Sequence, residues 1–386
     1  FSLDGTKIEL VSTARDNIWG YQLRNNGQWY GTQANDIGDS ILPMEPGTGF
    51  SGIGGDKLRP YQPMMPKPHP FRVGGTGISG LAFADDTEGS FPADKWKDVA
   101  FLANPITSSI NCVRIKRNAD GSIEAEHLAD LLTSEDDWFR PVNIEFGPDG
   151  CLYIADWYNK IISHNEVSRS HPDRDKKHGR IWRIRHESQK PRKIPNFYKV
   201  PNSELAGYLK SPSLWAKRAA WHQVADRQAK EVAPQLIKIA ADKQLDETTR
   251  IHALWSLESL KHFDKALMSQ LVSSNQDELR REAVRALAHM PVSKDDLEQL
   301  LKPLVSEKNV LVRSQVLRTI ENYGKANEGI IDILVSYCLP DIPGRIKIGV
   351  NYERKFERFL ARRALEKFPY ELSAYLKSDL AKKQPS

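Results

Sequence analysis

The stretch "VNIEFGPDGCLYIADWYN", residues 142–159, with "HGRIWRIRHE", residues 178–187, decides the fold. An apolar run leads into GPDG, where Pro148 presets φ and Gly150 is free to take positive φ, so the chain reverses into a second apolar run. That run ends on the polar ADWYN, and a third, RIWRI, follows after an insertion. The pattern predicts three strands in a meander, with a loop of about twenty residues, Asn159 to His178, between the second and third.

Two earlier segments share this plan: "GYQLRNNGQWYGTQANDIGDSILPM" (20–44) and "GLAFADDTEGSFPADKWKDVAFLANPITSSINCVRIKRNADGSI" (80–123). Almost nothing in residues 1–190 sustains a helical period, so this part reads as all-β. Repeated three- or four-stranded units spaced by roughly 40–60 residues are how the blades of a β-propeller look in sequence. Three units do not close a ring, which needs roughly four to eight. Either the Pro-rich stretch 45–75 holds a fourth, or the other blades lie upstream or on another chain. The favoured reading is the C-terminal half of a ring of about six blades.

After a linker, residues 191–201, the pattern changes. "SLWAKRAAWHQVA", "TTRIHALWSLESL", "ELRREAVRALAHM", "LVRSQVLRTIENY" and "ERFLARRALEKF" carry apolar residues at helical spacing. Lys217, Arg250, Arg280, Arg313 and Arg358 align, each followed three positions on by Ala220, Ala253, Ala283, Val316 or Ala361. Second helices such as "APQLIKIAADK" and "LEQLLKPLVSEK" lie between them. Residues 202–380 therefore read as an all-α solenoid of HEAT type, made irregular near its end by the insertion "PDIPGRIKIGVNYERK", with residues 381–386 as a tail. The aligned basic side chains suit an internal ladder between repeats better than a binding stripe, and Trp215, Trp221 and Trp255 suit the core.

Composition narrows the function classes. The 55 basic and 50 acidic residues leave a charge of +5, too small to imply nucleic acid. No apolar run reaches membrane-spanning length, and "FSLDGTKIEL" lacks the basic start and apolar core of a signal peptide. A chain opening on strand-like sequence reads as a fragment or processed form, so its first residue says little about targeting. Cys112, Cys151 and Cys338 form no C-x-x-C or C-x-x-C-H and read as small buried apolar residues. The Gly-rich "GTGFSGIGG" and "VGGTGISG" lack the lysine and helix of a P-loop.

At "FPADKWKDVAFLANP", "DDWFRPVNIEFGPDGCLYIADWYNKIISHN" and "HPDRDKKHGRIWRI" the chain resembles the membrane-bound dehydrogenase family of planctomycetes, verrucomicrobia and Bacteroidota. The resemblance covers about residues 1–320. It implies a propeller similar to glucose and sorbosone dehydrogenases, followed by HEAT-like repeats and often a c-type cytochrome domain. It further implies export to the periplasm or cell surface. The relatives with known chemistry oxidise sugars or alcohols with pyrroloquinoline quinone and Ca²⁺, and the cytochrome takes the electrons. The present chain departs from that pattern by lacking C-x-x-C-H, and the catalytic base of such enzymes comes from the other part of the ring. The first reading is an exported quinoprotein-like sugar or alcohol dehydrogenase component, with the solenoid docking a cytochrome or envelope partner; the alternative is a non-catalytic propeller and solenoid that binds glycan or protein at the cell envelope.

Propeller ligands bind where the loops between strands converge, and an anionic quinone needs arginine, lysine and backbone N–H donors there. Arg140 of FRPV and the strand-end cluster Asp156, Trp157, Tyr158 and Asn159 lead the candidates, with Arg180 of HGRIWR, and Arg15 and Asn17 before the first unit. Trp157 or Tyr158 suits stacking on a quinone or sugar ring. The alternative is that Asp156 ties its own turn and Trp157 packs between blades. In the long loop, His164, His171 and His178 recur every seven residues beside Asp173 and Asp175, amid Arg169, Arg174, Lys176 and Lys177. His164, Arg174 and His178 are candidates for cofactor contact. A metal is the weaker reading of the loop, because the cations oppose one and the spacing fits no zinc pattern. Internal ion pairs and backbone hydrogen bonds are the stronger. Asp36 and Asp39 offer oxygen ligands for Ca²⁺, with turn formation as the alternative.

Overall fold

The structure, a computed structural model, describes residues 10–13, 17–35, 39–52, 58–86, 91–163 and 167–383. Arg15, Asp36 and His164, singled out above, lie outside the described residues.

An N-terminal β region holds four small sheets, none of them closed. β1 (Ser12–Thr13) pairs in parallel with β5 (Thr48–Gly49). The other sheets are antiparallel meanders. The first is β2 (Tyr21–Leu23), β3 (Trp29–Thr32) and β4 (Ile41–Pro43). The second is β6 (Leu81–Phe83), β7 (Val99–Asn104), β8 (Ser109–Arg117) and β9 (Ile123–Thr133), with the one-turn α1 (Ala93–Trp96) between β6 and β7. The third is β10 (Pro141–Phe146), β11 (Leu152–Asp156) and β12 (Arg180–Ile184). GPDG forms the expected turn between β10 and β11: Gly150 takes φ 80°, and the Gly147 N–H donates to Cys151 O at 2.8 Å.

The three meanders stack face to face. Leu81, Phe83, Ala100 and Leu102 pack against Tyr30 and Ile41 of the first, while Val99, Phe101 and Ala103 pack against Ile144, Leu152 and Ile154 of the third. The middle sheet is thus covered on both sides, so "VAFLAN" is apolar without alternation. The first strands of neighbouring sheets sit side by side. The Gly80 N–H donates to Val142 O at 3.0 Å, and a Cβ on Gly80 would lie 2.5 Å from Asn143 Cα, so a glycine is required.

The Pro-rich stretch does not supply a further meander. Its prolines lack the N–H that a ladder needs. Among the described residues it contributes only β5 and a single bridge, Gly49 with Met64, while Phe50 and Met65 cover Leu42 and Met44 on the outer side of the first meander.

The C-terminal region is helical. After α2 (Asn202–Tyr208), one layer holds α3 (Leu214–Asp226), α5 (Glu247–Ser259), α7 (Asp277–Leu287), α9 (Val310–Tyr323) and α11 (Tyr352–Leu365), each packed on the next. The other layer holds α4 (Ala233–Ala241), α6 (Lys265–Val272), α8 (Lys294–Leu301), α10 (Glu328–Ser336) and α12 (Pro369–Tyr375). Ser213, Asp246, Asp264, Ser293, Asn309 and Asn327 cap free N–H groups at helix starts with their own side chains, and Gly324, at φ 73°, ends α9.

The aligned basic residues reach toward the following helix pair: Lys217 Nζ donates to Thr249 Oγ1 at 2.8 Å, Arg280 Nε to Glu307 Oε2 at 2.7 Å and Arg313 Nε to Glu357 Oε1 at 2.8 Å. Arg358 differs, lying 3.6 Å from Asp341 in the preceding insertion. Trp255 is buried, and its indole N–H donates to Glu282. Cys112 and Cys151 are buried, but Cys338, just past α10, is exposed, against expectation, in a groove that it lines with Asp341 and Ile346 of the insertion. Among the described residues no helix is long and apolar enough to cross a membrane.

The first helix layer sits against one end of the sheets. Arg281 Nη2 donates to Asn26 O at 2.9 Å, the Val310 N–H donates to Ala119 O at 2.8 Å, and Arg218 donates to Leu23 O. Beneath it, Arg24 is buried with Asp85 at 2.7 Å and Asp98 at 2.8 Å.

Candidate functional site

Antiparallel order fixes what lies at the other end of the sheets: the end of β3, the β7–β8 turn, the start of β10, the end of β11 and the start of β12. These loops touch across sheets. The Gly77 N–H donates to Ala34 O at 2.7 Å, and Arg140 Nη1 donates to Ser108 Oγ at 2.7 Å. Most of the described candidate residues from the sequence lie here.

Asp156 is the hub. Its buried carboxylate accepts the Arg140 and Tyr158 N–H groups on Oδ1, both at 2.8 Å, and Arg180 Nε at 2.6 Å and Trp182 Nε1 at 3.0 Å on Oδ2. The aspartate caps the strand end by an Asx-type turn, and Tyr158 beyond it takes φ 52°, a left-handed conformation uncommon for a tyrosine. Arg180 also reaches Asp136 at 2.9 Å, and its guanidinium lies 4.0 Å from the centre of the Tyr158 ring. Burial opposes the charge on Arg180, but its hydrogen bonds to Asp156 and Asp136 outweigh it and hold the group above its ordinary value.

Arg140 turns inward. Nε donates to Asn159 O at 2.9 Å, Nη2 to Lys160 O at 3.2 Å, and Nη1 to Ser108 Oγ and, at 3.3 Å, to Pro105 O. Asn159, also buried, donates to Asp175 O at 2.9 Å and so ties the start of the long loop to its end. Within the loop, Arg174 donates to Ser168 O, Val167 O and Ser163 Oγ, and Lys160 pairs with Asp173 at 3.4 Å. His178 contacts the Asp175 carboxylate through Nδ1 at 2.7 Å, a side-chain partner where backbone was expected. The Lys177 N–H, then the His178 ring, pull Asp175 down to about 2.

Two further candidates lie outside the hub's hydrogen bonds. Asn17, exposed at φ 51°, accepts the Ala34 N–H on its carbonyl at 3.1 Å. Asp39 is buried beside Ser40, whose hydroxyl lies 3.0 Å from His69 Nε2. Among the described residues no group of three His, Cys, Asp or Glu side chains is placed to hold a metal ion.

Two large open side chains of this end are aromatic, beside the exposed Lys160, Lys176 and Lys177 of the long loop. Trp157 is 41 % exposed and Trp19, just before β2, is 69 % exposed. Trp19 was not singled out from the sequence, although its place before Gly20 matches that of other loop residues preceding a first strand. The hub does not offer its arginines to an anionic quinone: both direct their N–H groups at carbonyls, a hydroxyl and carboxylates of the chain itself. Exposed indole faces beside polar loops fit a neutral, hydroxyl-rich ring.

Comparison with known proteins adds a family match. Residues 59–188 match a domain of unknown function, DUF7133. The DUF7133 stretch takes in the second and third meanders and the whole Asp156 hub. No curated protein matches the chain. Among solved structures the chain is similar to an engineered protein, at 15% identity and TM-score 0.29, over 47% of this chain and 92% of that one. It is also similar to two glucose dehydrogenase structures, at 20% and 22% identity and TM-score 0.25, over 40% of this chain. The matched part spans only 46% and 45% of those dehydrogenase chains.

Proposed function

We propose that the β region is part of a β-propeller whose loop end binds a sugar or glycan at the cell envelope, and that the helical region is a HEAT-type solenoid docking it to a protein partner. The stacking of successive meanders with their first strands adjacent supports the propeller reading, and the two-layer helix order supports the solenoid. Periplasmic or cell-surface placement follows from the family resemblance. One observation carries the ligand class: the cations of the Asp156 hub are engaged within the chain while Trp157 stays open.

A second reading, a quinoprotein-like sugar or alcohol dehydrogenase component, draws on the outer face of the third meander. Ile181 there is 77 % exposed, so a further sheet has a face to pack on. In that reading the base and the contacts to pyrroloquinoline quinone and Ca²⁺ come from blades outside this chain.

Quenching of tryptophan fluorescence by mono- and oligosaccharides tests the first reading. Saturable quenching, weakened at least about tenfold in Trp157→Ala, is expected. Absence of quenching with every sugar sinks it. Sugar-dependent dye reduction on adding pyrroloquinoline quinone and Ca²⁺ favours the second reading instead.

A further inference from the structure

A cavity of about 60 Å³ lies at the junction of the sheets and the helices, lined by Arg117 at the end of β8, Arg281 and Arg285 on α7, Arg318 on α9, and Glu45 beyond β4. Four guanidinium groups around one small space need partners. Arg281 has Glu278 at 2.8 Å and Glu282 at 3.1 Å, and Arg285 has Glu258 at 2.5 Å and Glu282 at 2.6 Å. Those two are matched by carboxylates of the helix layer.

Arg117 and Arg318 are not matched in this way. Their side chains are 4 % and 3 % exposed, and they share Glu45, which lies 3.0 Å from Arg117 and 3.6 Å from Arg318, the latter too far for a hydrogen bond. Nε and Nη1 of Arg117, and Nη1 of Arg318, which is the atom facing Glu45, are buried without a hydrogen-bond partner among the described residues, while Arg318 Nε donates to Gln315 Oε1 at 3.2 Å. Glu353, the other carboxylate near Arg117, stands 3.7 Å away, and burial raises it to about 7, so near neutrality it carries only part of a charge. Burial, with Arg281, Arg363 and Arg117 nearby, lowers Arg318 to about 10. An unpaired guanidinium N–H in such a place is costly, and guanidinium groups favour anions that accept several hydrogen bonds.

We propose that this cavity binds one small inorganic anion, a halide or a phosphate-class oxyanion, between Arg117 and Arg318. The anion then fastens the helical layer to the sheets, since its ligands come from β8 and α9.

The test is the melting temperature of the full chain at constant ionic strength, with sodium gluconate exchanged stepwise for chloride, bromide or phosphate. Gluconate is too large for the cavity. A saturable rise with a halide or with phosphate is expected, and whichever arm responds identifies the anion. Arg318→Gln is expected to abolish the rise, and a crystal soaked in bromide to show anomalous density between Arg117 and Arg318. A non-saturating response that only follows salt type, with no bromide in the cavity, overturns the proposal and leaves water as the occupant. Should Arg318→Gln not fold, crystals of the unaltered chain soaked in bromide and, separately, in phosphate decide, and no density between Arg117 and Arg318 in either overturns the proposal.

Discussion

Asp156 and Arg180 meet at 2.6 Å, at the end of one strand and the start of the next, and so close the base of the long loop between them. The carboxylate is fully enclosed and the guanidinium is 29 % exposed. Asp156→Ala removes the acceptor for four donors at once. It is expected to destabilise the chain by about 3 kcal/mol, since a partly buried ion pair is broken and three N–H groups, those of Arg140, Tyr158 and the Trp182 indole, lose their partner. Urea denaturation measures this, and faster tryptic cleavage within residues 160–178 reports loosening of the loop. Unchanged stability and cleavage would show that the hub does not hold the loop.

Gly80→Ala is expected to push two sheets apart. The new methyl would meet backbone, Asn143 Cα at 2.5 Å and Ile144 N at 2.8 Å, which cannot rotate away. A loss of about 2 kcal/mol is expected from overpacking. Gly207→Ala, with nothing within 4 Å of the added carbon, is the matched control and is expected to leave the denaturation midpoint unchanged or slightly raised.

Arg24→Met leaves Asp85 and Asp98 without their cation beneath the helix layer. Arg24 also stacks on Phe83, with its guanidinium 4.4 Å from the ring centre. The expected cost is about 3–5 kcal/mol, the range for removing one partner of a buried pair. A thermal melt reads the loss. A double variant, Arg24→Met with Asp85→Asn, is expected to recover part of it, and no recovery would mean that packing rather than charge sets the cost.

Glu353 makes stability depend on pH. Burial raises its carboxyl from 4.5 to about 7 in the folded chain, against the smaller opposing pull of Arg117. The folded state therefore holds the proton more tightly than the unfolded chain. The stability from that proton is fully present below about pH 4.5 and is lost as pH rises through about 7. Glu353→Gln keeps an acceptor for the Gly349 N–H and removes the titration. It is expected to be about 2 kcal/mol more stable than the unaltered chain at pH 8 and indistinguishable from it at pH 4.5. Urea midpoints across that range check it, and parallel profiles would show that Glu353 does not titrate there.

Much of the fold was legible because its signals are local. The GPDG turn needs only Pro148 and Gly150, the strand meanders show as short apolar runs, and the basic ladder shows because Lys217, Arg280 and Arg313 recur at one place in successive helices. The loop hub was legible in its members, Arg140, Asp156, Tyr158, Asn159 and Arg180, but not in its wiring. Whether Arg140 faces a ligand or the carbonyls of Asn159 and Lys160 depends on how the loop after β11 folds back, which residue type does not encode. The Pro-rich stretch looked able to hold a further blade; its prolines instead make it a cover for the first meander.

The sequence by itself determined the β-to-helix order and reversals such as GPDG, though not β9 beyond the 80–123 segment, because turn geometry and side-chain period act within a few residues. Only the tertiary structure decided which charges are satisfied. Glu45, Arg117 and Arg318 meet because the helical layer returns across the sheet ends, and a buried charge is matched or left over according to what arrives from distant parts of the chain.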